Sequence, residues 1–448
     1  MKLLAIALPI LLLTAAPASA DVASVPIAFQ VENVNGTSLP CRSDGKTYRV
    51  AGRVVGPRAV VEGDGRIDAA TLYLHEYSFG SWFWTFDAVP GYDYATAMAE
   101  RGHVSVVVDR LGYDGSDHPP GLDTCLGAHA DMARQVVGQL KAGRFDHVVL
   151  AGHSVGAVAA ELAVTSFGEE LGVDGLVVFA LANQGYTQAS LQESFVQGGV
   201  CTTGGEPAEE GQPSGYAYYG QTPEAWRPLL FASAEPRVQE AATALRNRDP
   251  CGDVSTLTPA TAHNAARQAD IKLPVLLVFG GADAVYETGT GEKEAAAFTG
   301  SDDVSYHEVA GAGHALALER EAPQVRATVA EWLEGRGLVA RERAAGGPDA
   351  GPGAPAPTGP VAGPQLPPAG RPGCVKRRGV RLRVRRRGRM VVRVDGRVVR
   401  RGRARSVRIR FGRRARRDGR VTVTAVVRTR DGGTFRIRRR YRTCASAR

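Results

Sequence analysis

The residues with the clearest chemical meaning are Gly152-His153-Ser154-Val155-Gly156, which have the pattern G-x-S-x-G. An apolar run, 147–151, precedes them and a run of small residues, 157–164, follows, so we predict a sharp turn between a strand and a helix. The flanking glycines remove side chains that would clash in such a turn. The turn would present the Ser154 hydroxyl at a sheet edge, where a neighbouring base could make it a nucleophile.

Two downstream residues could supply that base and its partner acid. The apolar run 274–279 is followed by Asp283, and the run 305–309 is followed by His314 in a Gly-Ala-Gly-His segment. Both side chains therefore come just after a predicted strand, at the same edge as Ser154. The imidazole of His314 would take the serine proton, and the carboxylate of Asp283 would orient the ring and stabilise its cation.

Other acids and histidines are weaker candidates. Glu287 and Asp302 are the alternative acids if Asp283 only caps a turn. We interpret His263 and His307 as structural or exposed, and His153 as a residue that shapes the pocket. The chain has no C-x-x-C or H-E-x-x-H spacing and no phosphate-binding or dinucleotide-binding fingerprint, so we predict neither a metal nor a cofactor.

Strand-like and helix-like patterns alternate around these residues. Near-continuous valine and leucine runs are typical of strands buried on both faces of a parallel sheet. We predict strands at 25–31, 48–55, 71–74, 104–108, 147–151, 176–181, 274–279 and 305–309, with helical spacing of apolar residues at 132–140 and 325–332. The segment 183–270 interrupts the alternation and is rich in glycine, tyrosine and polar residues. We therefore expect it to form a cap over one end of the sheet.

Together these features resemble the α/β-hydrolase superfamily over about residues 45–338, most closely its capped serine esterases and lipases. The resemblance rests on 152–156, on Phe-Gly-Gly-Ala-Asp at 279–283, on Gly-Ala-Gly-His at 311–314, and on 108–117, which is similar to the D-R-x-G-x-G-x-S stretch common after the fourth strand. It implies a mostly parallel sheet with helices on both faces and an inserted cap. It also implies a serine hydrolase that works through an acyl-enzyme. The serine at the elbow disfavours the dehalogenases and epoxide hydrolases, in which aspartate is the nucleophile.

The resemblance further implies an oxyanion hole made of two backbone amides. One is the amide of Val155, and the other comes from a His-Gly-x loop after the third strand. This chain has His75-Glu76-Tyr77 there, so the Tyr77 amide holds that place and Glu76 replaces the glycine. Glutamate adopts a positive φ poorly, and its carboxylate would repel an oxyanion. The geometry of this loop is therefore the open question of the site.

The first 20 residues predict export. Lys2, the apolar run 3–13 and the small residues 18–20 form a signal-peptide pattern with cleavage before Asp21. The run is too short to span a bilayer comfortably and Pro9 interrupts it, and no later run reaches about 18 apolar residues. We expect a soluble protein that is secreted or associated with the cell surface.

Six cysteines in an exported chain predict disulfide bonds. Fifteen pairings can be drawn. Position along the chain favours Cys374 with Cys444 and Cys201 with Cys251, which leaves Cys41 with Cys125.

The net charge of +9 is the sum of two opposite parts. Residues 371–448 contain 30 Arg, one Lys and three Asp, a net charge of +28, whereas the rest of the chain carries −19. Nine prolines and eight glycines lie within 346–373 and predict a linker without a core. We predict a signal peptide (1–20), a hydrolase domain (21–342) with its cap (183–270), a linker (343–373) and an Arg-rich domain (374–448).

The Arg-rich domain has the alternation of antiparallel strands. Val380, Leu382 and Val384 alternate with arginines, as do Val407, Ile409 and Phe411, and the pairs 395–396 and 431–432 are Asp-Gly hairpin turns. We predict a small antiparallel β-sandwich with an arginine face, which would contact anionic wall polymers, lipids or other polyanions. Aromatic residues are sparse there, so no specific nucleic-acid recognition is expected.

The predicted function is hydrolysis of small-molecule or lipid carboxylic esters. One alternative is an aminopeptidase of the same fold, in which Glu206, Glu209 and Glu210 of the cap would hold a peptide amino terminus. Another is an exported binding protein that works through its Arg-rich region alone. The aromatic residues Phe79 and 82–84 either line an apolar acyl pocket or belong to the core.

Overall fold

The computed structural model of the 448-residue chain describes residues 21–340, 342–343, 379–383, 388–402, 406–410, 420–429 and 434–442. The predicted signal peptide and most of the predicted linker lie outside these residues. No helix within the described ranges is both long and apolar enough to cross a membrane.

Seventeen strands are present in the described residues. They are β1 Val22–Glu32, β2 Thr47–Pro57, β3 Arg66–Leu74, β4 Ser105–Val108, β5 Phe145–His153, β6 Gly175–Phe179, β7 Tyr216–Ala217, β8 Asp249–Pro250, β9 Val275–Gly280, β10 Asp303–Val309, β11 Glu342–Arg343, β12 Gly379–Arg383, β13 Gly388–Val394, β14 Arg397–Gly402, β15 Ser406–Arg410, β16 Arg420–Thr429 and β17 Thr434–Arg442.

Ten α-helices accompany them in the same part of the chain. They are α1 Arg58–Val61, α2 Tyr94–Ala99, α3 Leu126–Ala142, α4 Val155–Phe167, α5 Gln188–Thr202, α6 Pro223–Leu230, α7 Pro236–Ala244, α8 Cys251–Arg267, α9 Thr290–Ala297 and α10 Ala322–Glu334.

The central sheet has the order β1-β2-β4-β3-β5-β6-β9-β10. Neighbouring strands from β4 to β10 run parallel, whereas β1 and β2 are antiparallel to their neighbours. Strands β4, β6 and β9 are buried along their whole length, as the continuous apolar runs predict. Helices α3, α4 and α8 form one layer, and α2 and α10 pack together in the other. The predicted α/β-hydrolase fold is confirmed.

The predicted cap lies where the parallel order is interrupted, between β6 and β9. It contains α5 to α8 and the short hairpin of β7 and β8. Its last helix, α8, packs against α3 and α4, so this end of the insertion belongs to the helical layer of the main body. A disulfide between Cys201 and Cys251 joins α5 to α8, and one between Cys41 and Cys125 fixes the segment before β2 to the start of α3. Both were predicted; Cys374 and Cys444 lie outside the described residues.

The described residues of the C-terminal region form β-strands and a hairpin turn, as predicted. Strands β13, β14, β16 and β17 form an antiparallel sheet, and β12 pairs with β15. The predicted inward residues Val407 and Ile409 are buried with Met390, Val392, Val394, Val421, Val423, Ala425 and Val427. Asp395 and Gly396 have φ values of 48° and 78°, as an Asp-Gly hairpin turn requires. The side chains of Val380 and Leu382, and the second Asp-Gly pair, lie outside what the structure describes.

One connection of this region was not predicted. Strand β17 pairs antiparallel with β10, from Asp303 opposite Arg439 to Glu308 opposite Thr434. The C-terminal sheet therefore continues the central sheet at its β10 edge. Edge strands expose unpaired backbone groups, and this pairing covers those of β10.

Candidate active site

Ser154 lies at the sharp turn between β5 and α4. Its φ of 49° and ψ of −118° are unusual for a residue with a side chain, and such backbone strain typically costs about 1–3 kcal/mol. A β-carbon at Gly152 would lie 2.4 Å from the Cα atom of Ala157, and one at Gly156 would lie 2.4 Å from the carbonyl oxygen of His75. Only glycine fits at these two positions, as the sequence pattern predicts.

The turn places Ser154 next to the first amides of α4. The Ser154 amide donates to the carbonyl of Phe179 at the end of β6, which fixes the turn to the neighbouring strand. Val155 is the first residue of α4, and the first amides of a helix have no partner within it. The Val155 amide is therefore available beside the Ser154 hydroxyl, as an oxyanion donor must be.

Asp283 and His314 follow β9 and β10 and meet at the same edge. Nδ1 of His314 donates to Oδ2 of Asp283 over 2.8 Å, and Oδ1 of Asp283 accepts from the Val285 amide, also over 2.8 Å. The side chains of Asp283 and His314 are 4% and 1% exposed, respectively. The alternative acids Glu287 and Asp302 are both exposed. The structure thus brings Asp283, rather than either alternative, to the histidine.

The other nitrogen of His314 is engaged by the unexpected glutamate. Oε2 of Glu76 lies 3.0 Å from Nε2 of His314, and no hydrogen bond joins Ser154 and His314 among the described residues. Burial alone would lower the pKa of His314, but the carboxylates of Asp283 and Glu76 outweigh it and raise the pKa to about 10. The imidazole is therefore held as a cation between two carboxylates in this arrangement.

His153 contacts both His314 and Glu76. Its Nε2 donates to the carbonyl oxygen of His314 over 2.8 Å, and its Nδ1 lies 3.6 Å from Oε1 of Glu76. Burial lowers the pKa of His153 to about 4, although the carboxylate of Glu76 opposes this. The ring stacks on Phe83, with centroids 4.7 Å apart. We call Glu76, His153, Asp283 and His314 the Glu76 cluster.

The loop that carries Glu76 avoids the positive φ that was predicted to be unfavourable at this residue. Glu76 is not among the residues with positive φ; Ser78, two residues later, has a φ of 62°. The turn is therefore displaced from the position where the resemblance implies glycine. Glu76 and Tyr77 both line the cavity that also contains Ser154 and His314.

A buried ionic network supports the backbone of the loop that contains His75 and Ser78. Arg110 donates to Asp253 over 2.8 Å and to the carbonyl of His75 over 3.0 Å, and Asp249 accepts from the Ser78 amide over 2.7 Å. Arg110 comes from the segment after β4, whereas both acids come from the cap. The cap is thus tied to the loop. We call this group, which consists of Arg110, Tyr113, His129, Asp249 and Asp253, the Arg110 cluster.

A family model described as the alpha/beta hydrolase family matches residues 72–329, which is more than half of the chain. The chain belongs to this family. No curated protein matches it.

Several solved structures of alpha/beta hydrolases resemble the chain. An esterase from Thermogutta terrifontis, with malate bound, is 18% identical with a TM-score of 0.47, over 68% of this chain and 98% of its own. A carboxylesterase from Bacillus subtilis is 18% identical with a TM-score of 0.45, over 69% and 92%. A soluble variant of monoglyceride lipase from Saccharomyces cerevisiae is 12% identical with a TM-score of 0.48, over 67% and 95%.

The cavity of this alpha/beta hydrolase is small, with a volume of about 30 Å³. Sequence reasoning missed much of its lining, which comes from α4, from the segment after β6, from the cap and from the segment after β9. The missed residues are Val158, Leu181, Tyr186, Ser190, Ser194, Tyr219, Leu257, Val285 and Tyr286. Membership in the insertion was the available signal for Tyr186, Ser190, Ser194, Tyr219 and Leu257, but no periodic pattern separates them from their neighbours.

The aromatic residues after the loop belong to the core. Phe79, Phe83 and Trp84 are at most 1% exposed, and neither they nor Trp82 line the cavity. They pack around the His153 ring instead. Of the two interpretations left open by the sequence, the structure favours the core.

The cap acids considered for an aminopeptidase lie elsewhere. Glu206 pairs with Arg248 over 2.8 Å, and Glu209 and Glu210 are exposed. None of the three lines the cavity.

Proposed function

We propose that this alpha/beta hydrolase is an exported serine esterase that cleaves carboxylic esters through an acyl-enzyme. The observation that carries the proposal is the 2.8 Å hydrogen bond to Asp283 from His314, which lines the same cavity as the strained Ser154. Three elements of the sheet edge contribute the three side chains, which are the residue types that nucleophilic catalysis by serine uses.

In the proposed reaction, the Ser154 oxygen attacks the acyl carbon while Nε2 of His314 takes the serine proton. The protonated ring then donates that proton to the leaving alcohol, and water repeats the sequence to release the acid. Asp283 holds the ring through Nδ1. The amides of Val155 and Tyr77 would bind the oxyanion.

The reaction requires Glu76 to leave Nε2 of His314. In the present arrangement that nitrogen faces a carboxylate and the ring carries a proton, so the base is blocked. An ester carbonyl entering next to Ser154 would have to displace the Glu76 side chain. In the proposed resting state, His314 therefore cannot accept the proton of Ser154.

The test is a comparison of Ser154→Ala with the parent protein on a short-chain p-nitrophenyl ester. We expect the rate to fall by at least about 10³-fold, because the nucleophile is removed. Ser255→Ala, which changes an exposed serine of α8, is the matched control and should retain the parent rate. A fluorophosphonate probe should label Ser154 alone. Equal rates for Ser154→Ala and the parent would refute the esterase.

The aminopeptidase remains the second candidate within the same chemistry, and its support is weaker because none of the predicted cap acids lines the cavity. A panel of amino-acid amides, assayed beside the esters, separates the two. Export is part of the proposal, and the amino terminus of the secreted protein should begin at Asp21.

We also propose that the Arg-rich region contacts anionic surfaces. Arg397, Arg400 and Arg401 lie on β14, which is exposed along its whole length. Retention of the full chain on an anionic matrix should fall with added salt and weaken when these three arginines are changed to glutamine. Salt-insensitive retention would contradict this part of the proposal, and an inert hydrolase body with intact retention would favour the binding-protein alternative.

A further inference from the structure

The Glu76 cluster contains two buried polar atoms without a hydrogen-bond partner in the described residues. They are Oε1 of Glu76 and Nδ1 of His153, which lie 3.6 Å apart. Burying such atoms unsatisfied is costly, and native proteins rarely do so without a reason. The distance is too long for a hydrogen bond between them. A group that bound both atoms would satisfy them.

The hydrogen bonds of the two histidines fix which nitrogen is free. Nε2 of His153 must carry its hydrogen, because its partner is the carbonyl oxygen of His314, which can only accept. Nδ1 of His153 therefore presents a lone pair toward Glu76. Nδ1 of His314 donates to Asp283, which leaves Nε2 toward the same carboxylate.

These three residues offer donor atoms to one point. One nitrogen of each histidine and one oxygen of Glu76 all lie within 4.8 Å of one another. Oε2 of Glu76 lies 3.0 Å from Nε2 of His314 and Oε1 lies 3.6 Å from Nδ1 of His153, so the carboxylate faces both nitrogens at distances close to the spacing of about 3.3 Å that ligands take around tetrahedral zinc. Two nitrogens and one carboxylate are a donor set of catalytic zinc sites, whereas magnesium and calcium prefer oxygen.

The hydrogen bonds made by the second ring nitrogen of each histidine, and the charge of the cluster, also favour a metal ion. Histidines that bind metal almost always donate their second N–H to a carboxylate or a carbonyl. His314 does so to Asp283, and His153 does so to the carbonyl of His314. The cluster contains the carboxylates of Glu76 and Asp283, so a divalent ion bound there would balance their charge.

We propose that Glu76, His153 and His314 form a binding site for a zinc-class divalent ion. The ion would occupy Nε2 of His314, the nitrogen that Ser154 needs, so the loaded protein would be inactive as a serine hydrolase. This inhibition depends on the proposed function, but binding of the ion does not. The ligands come from positions 76, 153 and 314, which explains why no metal-binding spacing appears in the sequence.

Isothermal titration of the chelator-treated full chain with ZnCl₂ near neutral pH tests the site. We expect one equivalent to bind, with no comparable binding of MgCl₂. Glu76→Gln and His153→Gln should each weaken binding by at least about tenfold, since each removes a ligand. Glu287→Gln, a change in an exposed carboxylate of the neighbouring segment, should leave binding unchanged. Thermal unfolding of each variant shows whether it is folded.

A spectroscopic measurement identifies the ligands independently of activity. Co²⁺ in place of Zn²⁺ should give the visible absorption of a tetrahedral site, and this signal should be lost in both ligand variants. Absence of binding to the parent would overturn the proposal and leave only a proton in the cluster. Equal binding by the parent, Glu76→Gln and His153→Gln would also overturn it, because the ion would then be held elsewhere on the surface.

The inhibition is measured on the same preparations. Zinc should suppress ester hydrolysis and protect Ser154 from the fluorophosphonate probe, and a chelator should restore both. If Ser154 stays unreactive with and without metal, the esterase proposal fails while the titration still decides the metal site. If zinc binds at this site and hydrolysis continues at the parent rate, the inhibitory role is refuted.

Discussion

Two buried polar clusters contact the loop that follows β3, and they differ in how their charges are balanced. In the Arg110 cluster, Arg110 lies 2.8 Å from Asp253, which lies 3.1 Å from His129. Asp249 accepts four hydrogen bonds, from the amides of Ser78 and Tyr219, the Tyr113 hydroxyl and the Gln197 amide group.

The Glu76 cluster, by contrast, contains no guanidinium: the carboxylates of Glu76 and Asp283 both face the ring of His314. A paired arginine holds the groups it contacts in place, whereas a histidine beside a surplus carboxylate keeps a reactive group available. We infer that the first cluster positions the loop and the second performs chemistry on it.

The largest expected effect comes from breaking the balanced cluster. Arg110→Leu would leave the carboxylate of Asp253 buried without its cation, a change that typically costs about 3–5 kcal/mol. The same substitution removes the hydrogen bond to the carbonyl of His75, so the loop loses its support. We expect the melting temperature to fall by about 10 °C or more and ester hydrolysis to be lost. Circular dichroism during heating measures the first effect.

The double variant Arg110→Leu with Asp253→Leu is the control for that prediction. Replacing a buried ion pair by apolar residues is often neutral, so the second change should restore more than half of the lost melting temperature. A single variant as stable as the parent protein would show that the Arg110 cluster does not hold the loop.

The unbalanced cluster should respond in the opposite direction. Glu76→Gln removes a surplus buried charge, and its amide group can donate to Nδ1 of His153. We therefore expect the melting temperature to stay the same or to rise. Hydrolysis measured in the presence of a chelator should increase about tenfold, a gain of about 1.4 kcal/mol, because no carboxylate then holds His314 or repels the oxyanion.

The kinetic control for Glu76→Gln is Glu287→Gln, which should keep the parent kcat/KM. A tenfold decrease for Glu76→Gln would mean that the carboxylate takes part in the reaction. A large loss of stability would mean that its charge is balanced after all, and the contrast between the two clusters would disappear.

Patterns local to the chain predicted the fold and the positions of Ser154, Asp283 and His314 at one edge of the sheet. The run 147–151 indicated β5, and the glycines around Ser154 indicated the strained turn. Asp283 and His314 could be placed because each follows a strand of the same parallel sheet, and parallel strands end at a common edge.

The contacts that distinguish this site could not be predicted in that way. Glu76, His153 and His314 are separated by 77 and 161 residues, and only the strand order brings them together. The loop after β3 shows a second limit of sequence-based prediction. The residue with positive φ is Ser78 and not Glu76, and the amino-acid composition of the loop does not predict this position. Pairing of β17 with β10 likewise depends on which edge of the sheet is free.

A third group of buried residues gives the smallest expected effect and isolates the role of charge. Glu161 and Glu294 share the amide group of Asn183, with distances of 2.8 Å and 2.7 Å, and this group contains no cation. Burial, followed by repulsion from Glu294, raises the pKa of Glu161 well above its usual value. The folded state therefore keeps a proton that the unfolded chain releases above about pH 4.5, and stability falls as the pH rises through that interval.

Glu161→Gln should remove this dependence. Its melting temperature should match that of the parent at about pH 5 and exceed it by about 2–4 °C at about pH 8, as expected for about 1 kcal/mol in a domain of this size. A larger gain at the lower pH would contradict the raised pKa. A gain in melting temperature confined to the higher pH would show that a buried carboxylate without a neighbouring cation lowers the stability of the folded protein. The second carboxylate of the Glu76 cluster would then lower the stability of the folded protein. Its role would therefore lie in binding or catalysis.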